Sequence, residues 1–259
     1  MMSDGKDAIG LSIDGRIASL VLERPPVNAF NDVFIEALNR ALDQVEAQSD
    51  LSLLHIKSGL DVFSAGADLQ LIRDCLATPE GRDKMIETVR ELQGVFARIE
   101  NMTAVSIAEI GGAAVGGGLE LALACDLRVA SEQAKLGLPE AGLGLIPAAG
   151  GTQRLTRICG EAVARRLILG AEVVDGAEAL RLGLVQWVVA AEELASWTAR
   201  LTVRLGSMPA EALAASKRCI AAASDRSVDG YELELTETRR LHDVAETQQR
   251  IQSFLAKSG

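Results

Sequence analysis

Along the chain, short apolar runs alternate with amphipathic stretches, and this predicts strands followed by helices. Residues 8–14 and 16–23 are apolar runs on either side of Asp14-Gly15, a hairpin signature. Arg24-Pro25-Pro26 ends the second run. After Asn31-Asp32, the residues Phe34, Leu38, Ala41, Leu42 and Val45 recur at helical spacing. Residues 51–56 read as a buried strand. Phe63-Ser64-Ala65-Gly66-Ala67-Asp68 then leads into Leu69-Gln70-Leu71-Ile72, with Asp68 placed to cap a helix. A long helix is predicted over 82–100 and a second buried strand over 104–110. That strand runs into the glycine-rich residues 111–118 and a helical stretch to Cys125. Residues 126–130 form a short strand, 136–138 an extended stub and 142–151 a Gly/Pro loop. From Gln153 onward the pattern is helical, with a strand at 184–189 and helices over 192–205, 209–223, 228–243 and 246–257.

Strand, glycine-containing loop and helix thus recur at 51–72 and 104–125. A helix N-terminus presents free N–H groups and a partial positive charge. Two such termini facing each other would suit an anion or a developing oxyanion.

Composition narrows the choice. At 259 residues, one large domain, or one domain plus a small helical appendix, is expected. Ten of the 24 glycines lie between Gly111 and Gly151, while only eight residues are aromatic. The four cysteines (Cys75, Cys125, Cys159 and Cys219) are scattered without a CxxC pair, and there are two histidines. This argues against a zinc site, a disulfide framework or a histidine-rich metal site. Residues 1–7 are polar and acidic, with no export or organelle signal, and no apolar run could span a membrane. A cytoplasmic location is expected. The net charge of −10 disfavours nucleic-acid binding. An anionic small ligand would have to be held by local backbone dipoles or a few chosen Lys or Arg side chains.

Four segments carry a resemblance: 63–69 (FSAGADL), 116–122 (GGGLELA), Leu138-Pro139-Glu140, and 146–155 (IPAAGGTQRL). In order and spacing they resemble the enoyl-CoA hydratase/isomerase (crotonase) superfamily, hydratase branch, from about residue 8 to the C-terminus. The resemblance implies an α/β fold, a crotonase-like spiral of ββα repeats over 1–190 that carries the CoA-thioester site. Residues 191–259 would be a helical region for trimerisation and a lid. It also implies an acyl-CoA thioester substrate, no separate cofactor and no metal, a role in fatty acid metabolism, and a homotrimer or dimer of trimers. By motif position, the Ala67 and Gly117 N–H groups would hold the thioester oxygen. Pro26, Val27, Ala65, Ala67, Asp68, Leu69, Gly117, Gly118 and Pro139 would line the CoA-thioester site. Glu120 and Glu140 would flank a water that adds to C3 of a trans-2-enoyl thioester. Two carboxyls near one water should have their proton affinities pushed apart, so that one serves as acid and the other as base. The alternatives are double-bond isomerisation, which needs one carboxylate to shuttle a proton, another crotonase reaction, and a non-catalytic CoA-thioester or RNA binder. The acidic charge counts against RNA, and the two glutamates count against an idle binder.

Some positions depart from the family pattern. Ala148 stands where Gly is common, in a loop whose N–H can help hold the water, and a donor survives there if φ is negative. Gln70 replaces a frequently basic residue, and Val105 replaces a frequent Pro. His55 is expected to be structural, His242 solvated and Cys125 a core thiol. Arg24, Arg73 and Lys257 are more readily surface charges than phosphate ligands. Gly150-Gly151-Thr152-Gln153-Arg154 is assigned to subunit assembly.

Overall fold

A computed structural model describes residues 8–258. The polar lead segment, residues 1–7, lies outside the described residues. Strands β1 (Ile9–Asp14) and β2 (Ile17–Leu22) form the expected antiparallel hairpin, with Asp14 opposite Ile17. The turn residues are Gly15-Arg16, one position later than the sequence suggests, because Gly15 at φ 54° takes the first central position of the turn. Helix α1 (Asp32–Glu46) starts where the Asn31 side chain accepts from the Phe34 N–H. It buries Phe34, Leu38, Ala41, Leu42 and Val45.

From there the chain winds in repeated turns. Strand β3 (Leu53–Ser58) is followed by helices α2 (Leu69–Leu76) and α3 (Pro79–Asn101). Strand β4 (Val105–Ile110) and the short β5 (Ala113–Val115) lead into α4 (Gly117–Ala124). Strands β6 (Leu127–Ser131) and β7 (Lys135–Gly137) lead through a 3-10 turn, Pro139–Leu143, to α5 (Gly151–Cys159) and α6 (Glu161–Leu169). Then come β8 (Val173–Asp175), α7 (Gly176–Arg181) and β9 (Trp187–Val189). Helices α8 (Leu194–Gly206), α9 (Ala210–Ala222), α10 (Gly230–His242) and α11 (Ala245–Ser258) close the chain.

The first strand of each turn joins a six-stranded sheet in the order β1-β2-β3-β4-β6-β9, parallel from β2 onward. The second joins a three-stranded sheet, β5-β7-β8, which Ser64 extends by a parallel bridge to Ala114. This is an α/β spiral of ββα turns with a helical C-terminal region, as expected. The sequence pattern does not reveal β5 or β8. Each has three residues, too few for alternation to register. The strand expected at 51–56 sits at Leu53–Ser58, and the one expected at 184–189 shrinks to Trp187–Val189, because Leu184 and Val185 are buried as loop.

One face of the large sheet, with Leu54, Ile56 and Ala108, packs into the main core with Phe30, Phe34, Phe63 and Phe96. The other face, with Leu53, Val105, Ile107 and Val129, packs against Leu194, Leu201 and Leu205 of α8. Burying each of those phenylalanines contributes about 2–3 kcal/mol. The effect is to make the sheet ends and their loops a rigid base. Among the described residues, no helix is long and apolar enough to cross a membrane.

Candidate active site

Helix α4 is apolar on every side and lies buried, and its first turn carries Glu120, which is only 3% exposed. Its N-cap is Gly116, and no side chain caps it. Among the described residues the Gly117 N–H has no protein acceptor, so the positive end of the helix is open. The loop before α2 runs alongside. A Cβ on Gly66, where φ is 84°, would come 2.9 Å from the Gly117 nitrogen. Gly118 is buried, and a Cβ there would stand 2.2 Å from the Ser64 carbonyl oxygen, so only glycine lets the two loops meet.

Phe30 holds the Ala67 loop in place. Its N–H donates to the Gly66 carbonyl at 2.8 Å, and its carbonyl accepts from the Asp68 N–H at 2.9 Å. Ala67, between those partners, is exposed and its N–H has no acceptor among the described residues. Asn28, fully buried at φ 50°, donates to the Ser58 hydroxyl at 2.8 Å and the Phe63 carbonyl at 3.0 Å, and its carbonyl accepts from Ser64 Oγ. The sequence reading misses both Phe30 and Asn28. The only available signal was their place between Pro26 and the α1 cap.

As expected, Asp68 caps α2: its side chain accepts from the Gln70 N–H at 3.0 Å, so this N-terminus is closed where that of α4 is open. The free donor on that side is Ala67, ahead of the helix. Asp68 also pairs with Arg24 at 2.9 Å, which holds its carboxyl below the ordinary range despite partial burial, so Arg24 is engaged within the loop.

The neighbouring positions fall around these loops. Ala65 is exposed and donates to the Val27 carbonyl at 3.0 Å, and Val27 is half-buried beside exposed Pro26. Leu69 is exposed, and Pro139 is half-buried at the head of the 3-10 turn. Gln70 is exposed and bonds Asp74, Arg73 lies against Asp74, and Lys257 is exposed. His55 is buried and meets Glu109 across β3 and β4 at 2.9 Å, His242 is exposed, and Cys125 is buried with its thiol pushed up to about 12.

The two candidate carboxyls come together. A Cβ on Gly116 would stand 3.1 Å from Glu140 Oε1, which places this carboxyl beside the open end of α4. Glu140 Oε2 is buried and has no hydrogen-bond partner. Burial raises the Glu140 proton affinity. Glu120 is raised to about 7, first by burial and further by the Glu140 charge. The Gly151 N–H, donating to Glu120 Oε1 at 2.8 Å, and Arg154 pull the other way. An unpaired buried carboxyl oxygen costs free energy unless something donates to it or it becomes protonated. The unpartnered Oε2 therefore suits a polar guest that can donate to it, and both carboxyls keep a proton to higher pH than an exposed glutamate does.

The segment assigned to assembly has a further place in this site: Gly151 bonds Glu120 directly, and Arg154 lies buried behind it. No spacing rule ties residue 151 to residue 120. Ala148 keeps a negative-φ backbone, as its substitution for glycine requires, and its carbonyl accepts from Gln93. The open groove of about 410 Å³ between α1 and α3, lined by Asp32, Glu36, Glu87 and Glu91, lies elsewhere. There Lys84 already pairs with Asp32 at 2.6 Å.

Residues 12–259 match the family described as Enoyl-CoA hydratase/isomerase. The chain is 44% identical over 179 residues to a probable enoyl-CoA hydratase of Bacillus subtilis, covering 69% of this chain and 68% of that one. It is 36% identical over 212 residues to a short-chain-enoyl-CoA hydratase of Clostridium acetobutylicum, covering 81% and 79%. A solved enoyl-CoA hydratase of Bacillus anthracis superposes with a TM-score of 0.88 at 28% identity, covering 96% of each chain.

Proposed function

The chain belongs to the enoyl-CoA hydratase/isomerase family, and on that premise we propose that it is an enoyl-CoA hydratase, adding water syn to a trans-2-enoyl-CoA to give a 3-hydroxyacyl-CoA. The observation that carries this reading is the pair Glu120 and Glu140, both raised in proton affinity, beside the open end of α4. An isomerase needs one such carboxylate, whereas hydration uses two.

The thioester oxygen would sit on the Ala67 and Gly117 N–H groups. Negative charge grows on that oxygen as C3 is attacked, and each preorganised donor is worth about 3–4 kcal/mol. Glu120, whose carboxylate accepts the Gly151 N–H, acts as base. Glu140, whose Oε2 has no donor, is the neutral acid. With Glu140 neutral, its repulsion no longer raises Glu120; burial still does, so Glu120 becomes the ionised base as pH rises through about 7. In the reaction, Glu120 takes a proton from the water and the water oxygen bonds to C3. The C2–C3 π electrons move toward the thioester oxygen, and Glu140 delivers its proton to C2 on the same face. Proton transfer from Glu120 back to Glu140 resets the pair.

The reading includes no cofactor beyond the coenzyme A of the substrate, a role in fatty acid metabolism, a cytoplasmic location, and a homotrimer or dimer of trimers. Exposed apolar side chains on the last helices, including Val203, Ile220 and Leu235, support assembly. The test is the loss of conjugated thioester absorbance from crotonyl-CoA and a panel of longer and aromatic enoyl-CoAs. Hydration of at least one substrate is expected, and none across the panel contradicts the reading.

A further inference from the structure

Arg154, only 6% exposed, is a buried cation next to the carboxyl pair, and its hydrogen bonds are all directed. Nη1 donates to the Ala149 carbonyl at 3.0 Å, while Nε and Nη2 both donate to Glu100 Oε2, at 3.0 and 2.7 Å. Glu100, at the end of α3, also pairs with Arg157 at 3.0 Å. The guanidinium lies tightly under the Gly150 turn. Gly150 adopts φ 109°, and a Cβ there would stand 2.2 Å from Arg154 Nη1. The next residue, Gly151, donates its N–H to Glu120 Oε1 at 2.8 Å.

A chain of contacts therefore runs from α3 through Glu100 and Arg154 to the Ala149–Gly151 backbone and on to Glu120. Burying a cation is costly unless it is paired and fully bonded. A guanidinium that only stabilised packing would not need to grip the carbonyl two residues before the Glu120 donor.

We propose that Arg154, anchored by Glu100, is a positioning residue that fixes the Gly150-Gly151 turn and thereby the Glu120 carboxyl for proton removal from the attacking water. The inference rests on the hydratase reading for its kinetic consequence, but not for its electrostatic one. Arg154 acts through two routes, the geometry of the Gly151 donor and its own positive charge, which lowers the Glu120 proton affinity. The two routes separate by substitution. Lysine keeps the charge but cannot reach Ala149 and Glu100 together with a planar fork. Methionine loses both.

Two readouts test this. The first is infrared titration of the protonated-carboxyl band that disappears in Glu120→Gln, which needs no turnover. The second is steady-state hydration of crotonyl-CoA. In Arg154→Met the Glu120 titration midpoint should move upward, and kcat should fall on the order of ten- to a hundred-fold with KM nearly unchanged, since a small misplacement of a reacting group costs this much. In Arg154→Lys the midpoint should return toward the wild-type value while kcat stays low. If Arg154→Met does not fold, Glu100→Gln, at a partly exposed carboxylate, leaves the Arg154 charge unneutralised and should move the midpoint downward. An unmoved midpoint in Arg154→Met, or in Glu100→Gln where it stands in for that variant, overturns the proposal, as does a rise in KM with kcat unchanged. A wild-type protein that hydrates nothing would overturn the hydratase reading alone, and the infrared arm would still decide the role of Arg154.

Discussion

Glu120 and Glu140 sit in different surroundings, and their separate consequences can be measured. Glu120→Gln and Glu140→Gln should each lower kcat by on the order of a hundredfold or more, the usual worth of a positioned acid or base. Binding of a saturated acyl-CoA, followed by calorimetry, should change little. Near-wild-type turnover in either variant would remove that residue from the mechanism. Glu120 also leaves a mark on stability. Its folded proton affinity is raised to about 7 from 4.5, chiefly by burial, so the folded state holds a proton that the unfolded chain releases. The contribution is fully present below about pH 4.5 and is lost as pH rises toward 7. Across that window the wild type should lose up to about 3 kcal/mol relative to Glu120→Gln, read as the difference between their denaturation midpoints. A difference that stays flat with pH would mean that the folded protein does not raise the Glu120 proton affinity.

At the scale of elements, the meeting of α4 with the loop before α2 decides the site. Gly118→Ala would place a Cβ 2.2 Å from the Ser64 carbonyl and should destabilise by about 1–3 kcal/mol, with loss of turnover. Gly94→Ala is the contrasting change. It lies exposed within α3 with nothing within 4 Å of the added carbon, and should stabilise by about 0.5–1 kcal/mol. Urea denaturation of both variants checks the pair, and equal effects would contradict the packing account. Elements with strong periodicity were legible in the sequence: α1 from Phe34 to Val45, α3, and the cap at Asp68. The three-residue strands β5 and β8 were not, because they are held by pairing with β7 rather than by their own pattern. The free donor at Gly117 was legible through its motif. Because α2 is closed by its own cap, the donor on that side is the Ala67 N–H ahead of the helix.

Over the whole molecule, the two sheets give each turn of the spiral a fixed place, and the active-site loops project from turns that are distant in sequence. Long-range partners such as Asn28 with Phe63, or Gly151 with Glu120, have no local signature, so the sequence could name the two carboxyls but not what holds them. The exposed apolar residues of α8 to α11 lead to a prediction at this scale: light scattering should return a mass three or six times that of the chain, and a monomer at micromolar concentration would contradict the assembly reading.

In the proposed reaction one water adds across the double bond from the side of the two carboxyls. Its most direct test is hydration of crotonyl-CoA in deuterated, 18O-enriched water, with product analysis by mass spectrometry and NMR. The expected product is a 3-hydroxyacyl-CoA carrying one 18O at C3 and one deuterium at C2, added to the same face. Anti addition, or conversion of a 3-enoyl to a 2-enoyl thioester without any 18O in the product, would contradict that reaction.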